Sequence, residues 1–291
     1  MRLILSRKGF DSAAGGVASP ILPDGTMLSL PIPEEASPIR YRDIRLHGHD
    51  VGQVVADLTR RKVAADAGAH LDPDLVAAAI PRPAGWRPLF GQADNEQRVL
   101  EREGVGVGDV FLFFGWFRRV EERGDRYAFV RGAPDLHVLW GWLQVGEVVA
   151  ADRSTAPPWA THHPHFSDTP RRPNVLYVAA DHLVLDRVTT DLPGAGVFGR
   201  YHDDLCLTAP GCTRSVWRLP GWFHPDGGRM LGYHGDRRRW SRDGEHAVLR
   251  SVGRGQEFVF DAAGVPAAGV WVRRLIERAS SIAQEGGTAH G

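Results

Sequence analysis

Residues 2–6 (RLILS) form an uninterrupted apolar run that ends abruptly in Arg7-Lys8-Gly9-Phe10-Asp11-Ser12-Ala13-Ala14-Gly15-Gly16. That is the pattern of a buried strand delivering a polar, Gly-rich loop. Prolines at 20, 23, 31, 33 and 38 exclude long regular structure from Ser19 to Pro38, and Pro23-Asp24-Gly25-Thr26 carries turn chemistry. Helical spacing follows over 50–65, where Asp50 can cap and Val54, Val55, Leu58 and Val63 recur on one side. A second helix is predicted over 92–103, closed by Gly104. The pattern then changes to GVGVGDVFLFFGWFRRVE, a polar turn around Glu122–Asp125, YAFV, and LHVLWGWLQVGEVVA. Apolar and aromatic runs of that length, bounded by Gly and Asp, predict buried strands of a closed or heavily covered sheet.

Short strands are expected at 174–179, 182–186, 204–208, 230–233, 247–252 and 257–260, and a last helix over Val270–Ala283. The tail EGGTAHG is expected to be disordered. The pattern therefore predicts an α+β, β-rich fold: a twisted, partly closed sheet or barrel with a few peripheral helices. Neither an internal repeat nor a linker divides it, so one domain over 1–276 is expected, with the helix end and tail at 277–291.

Composition narrows the partners more than the fold. Hydrophobic residues make up 43% and charged residues 24% of the 291, which places the chain among ordinary globular proteins. Its formal net charge is zero, which excludes a uniformly basic surface that coats DNA but leaves room for local base recognition. Lysine occurs only at Lys8 and Lys62, so the positive charge is almost all arginine. Cys206 and Cys212 are the only cysteines and have no zinc-ligand spacing, which fits reduced thiols in a cytoplasmic protein. The apolar run at the N-terminus is too short for a signal peptide, and no stretch reaches the roughly 20 apolar residues of a membrane span.

Several polar elements could carry chemistry. In the first loop Arg7 and Lys8 offer positive charge, Asp11 a carboxylate, and the glycines close backbone approach, which suits a phosphate or ribose; a Gly-rich surface turn reads the same way. The spacing is neither a Walker loop nor a GxGxxG fingerprint. Gln92, in Phe90-Gly91-Gln92 before the second helix, has the donor and acceptor needed to read a base edge, although capping explains part of that pattern. Alternation puts Trp140 and Trp142 on one face of their strand, as a stacking pair or simply as core.

Histidines gather at His162-His163-Pro164-His165, with others at His47, His49 and His202. They are numerous enough for an Fe(II) or Mn(II) site, but no H-x-D with a distant His can be assigned uniquely. A general acid/base role for His163 or His165 is the more economical functional reading. Near the C-terminus, Arg254, Gln256 and Glu257 precede an apolar strand and could form the edge of a site or a solvated turn.

The segments RKGFDSAAGG, ASPI, PDGTMLSLPIP, FGQ, GDVFLFFGWFR, HVLWGWLQVGEV, HHPHF, NVLYVA and RGQEFV together resemble the nucleotide modification associated domain family, third group, over nearly the whole chain. The resemblance implies association with systems that modify bases or nucleotides, without implying a particular reaction. On those motifs it places the site at Arg7, Lys8, Asp11, Gln92, His163, His165, Arg254, Gln256 and Glu257. The chain departs from the family pattern after FGQ, where Asp94, Asn95 and Glu96 stand in place of small residues and a His, so no helix-borne His role carries over. A local resemblance to PUA-like barrels, including the ASCH and EVE groups, is confined to about residues 104–150 and implies binding of RNA or modified bases.

Three functions are compatible with these observations. One is an enzyme acting on a nucleotide or nucleic-acid base, with Arg7 and Lys8 on phosphate, Gln92 and Gln256 on the base, Asp11 or Glu257 as general base and His163 or His165 as acid/base. The second is a non-catalytic reader of modified bases that stacks them on Trp140 and Trp142, with Arg237–Arg239 on the backbone. The third is a metal-dependent modifying enzyme.

Overall fold

The computed structural model describes residues 1–154, 156–166 and 171–287. Its centre is a nine-stranded mixed sheet built on two long strands. In chain order its strands are β1 (Arg2–Arg7), β2 (Ser19–Ile21), β3 (Leu89–Ala93), β4 (Val110–Arg123), β5 (Arg126–Phe129), β6 (Leu136–Ala150), β7 (Asn174–Ala179), β8 (Ala195–Val197) and β9 (Glu257–Asp261). The main path runs β9-β1-β4-β6-β7-β3, with β2 and β5 added on β4 and β8 on β6. None of the described sheets closes into a barrel, so the β-rich α+β class holds and the barrel form does not.

The apolar runs explain the centre. Phe111, Leu112, Phe113 and Phe114 are fully buried in consecutive positions, as a strand covered on both faces requires. β6 carries register shifts between Leu139 and Gly141 and again between Val145 and Glu147. These bulges bend the strand, so its first part pairs with β4 and its last part with β7. Trp140 and Trp142 are consumed by this core: Trp140 stacks on Phe113 at 5.6 Å, and Trp142 packs on Phe198 at 4.9 Å and donates its indole N–H to Pro193 O. Both indoles are buried, so they form no open stacking pair.

β1 and β2 both run parallel to β4, at Leu3–Arg7 against Val110–Phe114 and at Ser19–Ile21 against Phe117–Arg119. Between them the Gly-rich loop leaves the sheet. Gly115 stands at the parting point, where a Cβ would crowd Lys8 O at 2.8 Å. The loop therefore projects from a gap in the ladder, held by Lys8 N–H on Phe114 O.

Three helices surround the sheet. α1 (Val51–Leu58) is capped by Asp50 accepting from Gln53 N–H, and it buries Val51, Val54, Val55 and Leu58 in a second core with Phe10 and Tyr41. It is shorter than its periodicity suggests. The Thr59 hydroxyl donates to Val55 O and accepts from Val63 N–H, and Arg60 and Arg61 turn into the left-handed region. α2 (Asp94–Arg102) begins two residues later than the predicted helix, because Gln92 and Ala93 are paired in β3 against Val175 and Asn174. α3 (Pro266–Gly287) buries Ala268, Val272, Leu275 and Ile276. Residues 285–287 of the tail expected to be disordered continue this helix, and 288–291 lie outside the described residues.

Of the short strands, 204–208 is a 3-10 turn with isolated bridges, although Leu205 and Leu207 are buried as the alternation suggests. Residues 230–233 form no strand: Gly232 donates once to Val259 O, and Tyr233 takes a positive φ. A three-stranded sheet joins Val216–Pro220, His246–Arg250 and Trp240–Asp243. Among the described residues no helix is long and apolar enough to cross a membrane.

Two core histidines make stability depend on pH. His137 Nδ1 accepts the Trp217 indole N–H at 2.9 Å, and burial, reinforced by Arg7 and Arg214, pushes its pKa down to about 3. His234 Nε2 accepts Val252 N–H, and burial pushes its pKa down to about 4. Both folded values lie below the ordinary 6.5, so the unfolded chain binds the additional protons. The stability from keeping them neutral is intact above 6.5 and is lost as the pH falls through that value toward 4 and then 3. Urea unfolding at stepped pH should show the loss beginning below neutrality, before carboxylates titrate, and replacing both histidines with Gln should flatten that limb.

Candidate active site

A cleft of about 680 Å³ opens where the Gly-rich loop, the C-terminal end of β3, the start of α2 and the turn before β9 meet. It brings Arg7, Lys8, Asp11, Gln92, His165 and Gln256 to one place from sequence positions up to 249 residues apart. His163 lies directly behind it, and Glu257 lies beneath it in contact with Lys8 and Gln92. Arg254 falls outside, in an adjoining surface groove with Tyr233, Asp236 and Arg239. Arg237 and Arg238 pair with Asp226 and Asp236.

One wall is organised by Glu257, whose side chain is sealed from solvent. Its Oε1 accepts from Lys8 Nζ at 2.8 Å, Gln92 Nε2 at 2.6 Å and Ser6 Oγ at 3.0 Å, while Oε2 is buried with no partner among the described residues. Lys8 also lies 4.6 Å above the Phe90 ring and donates to Gln256 Oε1 at 3.2 Å. Arg7 donates to the carbonyls of Gly253 and Val252. Asp11 Oδ1 accepts Ala13 and Ala14 N–H at 2.7 Å each, so this carboxylate shapes its own loop. Gln92 Oε1 accepts Ala93 N–H, which leaves this amide largely committed to the wall. Gln256 sits exposed at the rim; its backbone N–H donates to Glu96 Oε2 at 3.1 Å, and its side-chain Nε2 makes no hydrogen bond among the described residues.

The floor holds residues that the sequence reading passed over. The two-residue ladder of Ile32–Pro33 with Ala69–His70 places Glu34 beside His70, and Asp72 follows two positions later. Opposite stands the 3-10 turn Pro164–Phe166, which carries His165. A Cβ at Gly91 would overlap the His165 ring, so only glycine in β3 lets the imidazole lie this close. Asp72 Oδ1 accepts Gly91 N–H at 2.8 Å and faces His163 Nε2 at 3.2 Å. His163 Nδ1 in turn receives His165 N–H, so His163 carries its proton on Nε2 and orients Asp72.

The other two imidazoles are fixed in the opposite sense. His165 Nδ1 donates to Asn174 Oδ1 at 2.6 Å, because Asn174 Nδ2 is already directed at His165 O and Ala151 O. His70 Nδ1 donates to Glu34 Oε2 at 2.8 Å, and Glu34 Oε1 is held by Arg171 at 2.7 Å. The Nε2 atoms of both rings therefore face Asp72 Oδ2, each at 3.6 Å, beyond hydrogen-bonding distance. Among the described residues, His70, Asp72 and His165 are the group whose ligand atoms all lie within 4.8 Å of one another.

Electrostatics follow the same geometry. Burial pushes the Asp72 carboxyl up, but the hydrogen bond from His163 and the close imidazoles of His165 and His70 outweigh it and hold the group well below its usual value. Burial pushes His70 down, and Asp72 and Glu34 together reverse this and raise it. His163 stays below its ordinary value because burial outweighs its bond to Asp72.

Fold and cleft together define a β-rich α+β protein with a polar cleft above a buried carboxylate flanked by imidazoles. The chain belongs to the nucleotide modification associated domain 3 family, whose model matches residues 2–261. The match covers every strand of the large sheet and every residue of the cleft. Neither the comparison with curated proteins nor that with solved structures found a match.

The sealed Lys8–Glu257 pair makes the wall sensitive to single substitutions. Glu257→Ala should destabilise the fold by about 3–5 kcal/mol in urea unfolding, since it leaves a buried ammonium and the Gln92 amide without their acceptor.

Proposed function

We propose that the protein is an enzyme that binds a nucleoside or nucleotide in this cleft and modifies its base. The observation that carries the reading is the convergence, in one cleft of about 680 Å³, of the Gly-rich loop, the Gln256 rim and the His70–Asp72–His165 floor. The volume suits a small ligand. Family membership, with its association with nucleotide modification, supports the substrate class.

Charge narrows the ligand further. The lining carries Asp11, Glu34, Asp72, Asp94 and Glu96 against Arg7, Lys8 and Arg171, so with neutral histidines it is net negative. A lining of that sign repels a polyphosphate and a nucleic-acid backbone, and favours a base or nucleoside entering base-first. In this pose the exposed Gln256 amide meets the base edge, and Lys8 and the Gly9 backbone lie toward the sugar. His165 and Asp72 lie in the floor beneath the base. A base-stacking reader built on Trp140 and Trp142 has no open indole face to use.

Calorimetric titration of nucleosides, mononucleotides and short single strands tests the proposal. A nucleoside or mononucleotide should bind, Gln256→Ala should weaken it about three- to tenfold by removing one hydrogen bond, and Ala13→Trp at the exposed loop should block it. Absence of binding by every such ligand, or binding indifferent to both substitutions, would refute it.

A further inference from the structure

We infer that His70, Asp72 and His165 form a binding site for one first-row divalent transition-metal ion, with its open coordination positions facing the cleft. The inference deepens the proposed function, and its substrate pose rests on that reading, but the metal site itself stands on geometry alone.

Three features carry it. First, the donor set is two imidazole nitrogens and one carboxylate oxygen, the combination that leaves positions open for substrate or water in catalytic metal centres. Second, each ligand atom is turned inward by a partner on its far side. Glu34 accepts a hydrogen bond from His70 Nδ1, Asn174 Oδ1 accepts one from His165 Nδ1, and Gly91 and His163 hold Asp72 Oδ1, leaving Oδ2 to face both Nε2 atoms. Such outer partners fix the tautomer and the orientation of metal-ligating histidines.

Third, the ligand atoms gather at nearly the spacing of shared ligands, all three within 4.8 Å of one another. Both Nε2 atoms stand 3.6 Å from Asp72 Oδ2, too far for a hydrogen bond. Ligands about 2.0–2.1 Å from a common ion lie about 3.0–3.5 Å from one another. The approach side is the cleft, since His70, Asp72 and His165 all contribute to its lining. A divalent cation here would also offset the excess of carboxylates over cations in that lining.

The donors are all nitrogen and oxygen, with no thiolate among them, which suits Fe(II), Mn(II), Co(II) or Zn(II) over soft Cu(I). Bound there, the ion would sit beside the incoming base as a Lewis acid or as the holder of a reactive water. His163 keeps its proton on Nε2 toward Asp72, so it acts as a positioning residue.

The test uses the full chain after chelator treatment, titrated without oxygen. Co(II) is followed by visible absorption, and Fe(II), Mn(II) and Zn(II) by equilibrium dialysis with elemental analysis. One equivalent should bind with nitrogen- and oxygen-ligand bands for Co(II). His70→Ala and His165→Ala should abolish it while the far-ultraviolet circular dichroism is unchanged. Glu34→Ala and Asn174→Ala, which leave the ligands in place, should weaken it about 10- to 100-fold.

If the histidine variants fail to fold, the Glu34 and Asn174 variants decide. Unchanged affinity in both overturns the assignment, as does failure of the folded wild-type chain to bind a stoichiometric ion. Binding that survives loss of both histidines overturns it too. Nucleoside titration on the metal-free chain separates the two proposals: nucleoside binding without metal binding refutes the metal site alone, and metal binding without nucleoside binding refutes the substrate reading alone.

Discussion

The chemistry of the cleft depends on how Asp72 is held. A carboxylate taken out of water must be met by donors or cations, and one whose partners engage only one oxygen leaves the other with unspent negative charge. Gly91 N–H and His163 engage Oδ1, and Oδ2 faces two imidazole nitrogens of rings whose protons are committed elsewhere. Two short pieces of backbone make this arrangement, the ladder that sets Glu34 beside His70 and the 3-10 turn that presses His165 on Gly91. Each is tied to the large sheet, so the floor is set by rigid elements although its residues lie in loops.

Glu257 performs the corresponding task for the wall. β1 and β9 pair along the edge of the sheet, with Ser6 opposite Glu257, and this register delivers the carboxylate to Lys8 just past the end of β1. Gln92 reaches the same oxygen from β3 at the far end of the sheet path, which the bending of β6 brings round. A single buried acid thus joins the beginning, the middle and the end of the chain around one cavity. Its price in desolvation is offset by three donors on Oε1.

Much of the frame was legible in the residues. The runs at 2–6, 110–117 and 136–150 were long and apolar enough to read as buried strands, and α1, α2 and α3 declared themselves by helical spacing. Gln92 was drawn into a helix by its polar neighbours, because only pairing with β7 reveals Leu89–Ala93 as a strand. The tryptophans invited a stacking role that packing removes, since strand alternation identifies a face without saying what covers it. Asp11 has the composition of a general base and the geometry of a loop clasp.

His70 and Asp72 were hidden by multiplicity. The sequence contains H-x-D four times, at 70/72, 202/204, 224/226 and 234/236, and a His cluster at 162–165 that could serve any of them. Pairing His70 with His165 depends on contacts between residues 95 positions apart and on the missing side chain of Gly91, which no local pattern encodes.

The most direct measurement is nitrogen-15 NMR of the histidine rings in metal-free protein at mildly alkaline pH, repeated with one equivalent of diamagnetic Zn(II). His70 and His165 should be protonated on Nδ1 with bare Nε2 atoms that shift on adding the ion, while His163 stays protonated on Nε2. Protonation of His70 and His165 on Nε2, with no response to the ion, would mean that these rings simply donate to Asp72 and that the floor of the cleft is a structural hydrogen-bond network.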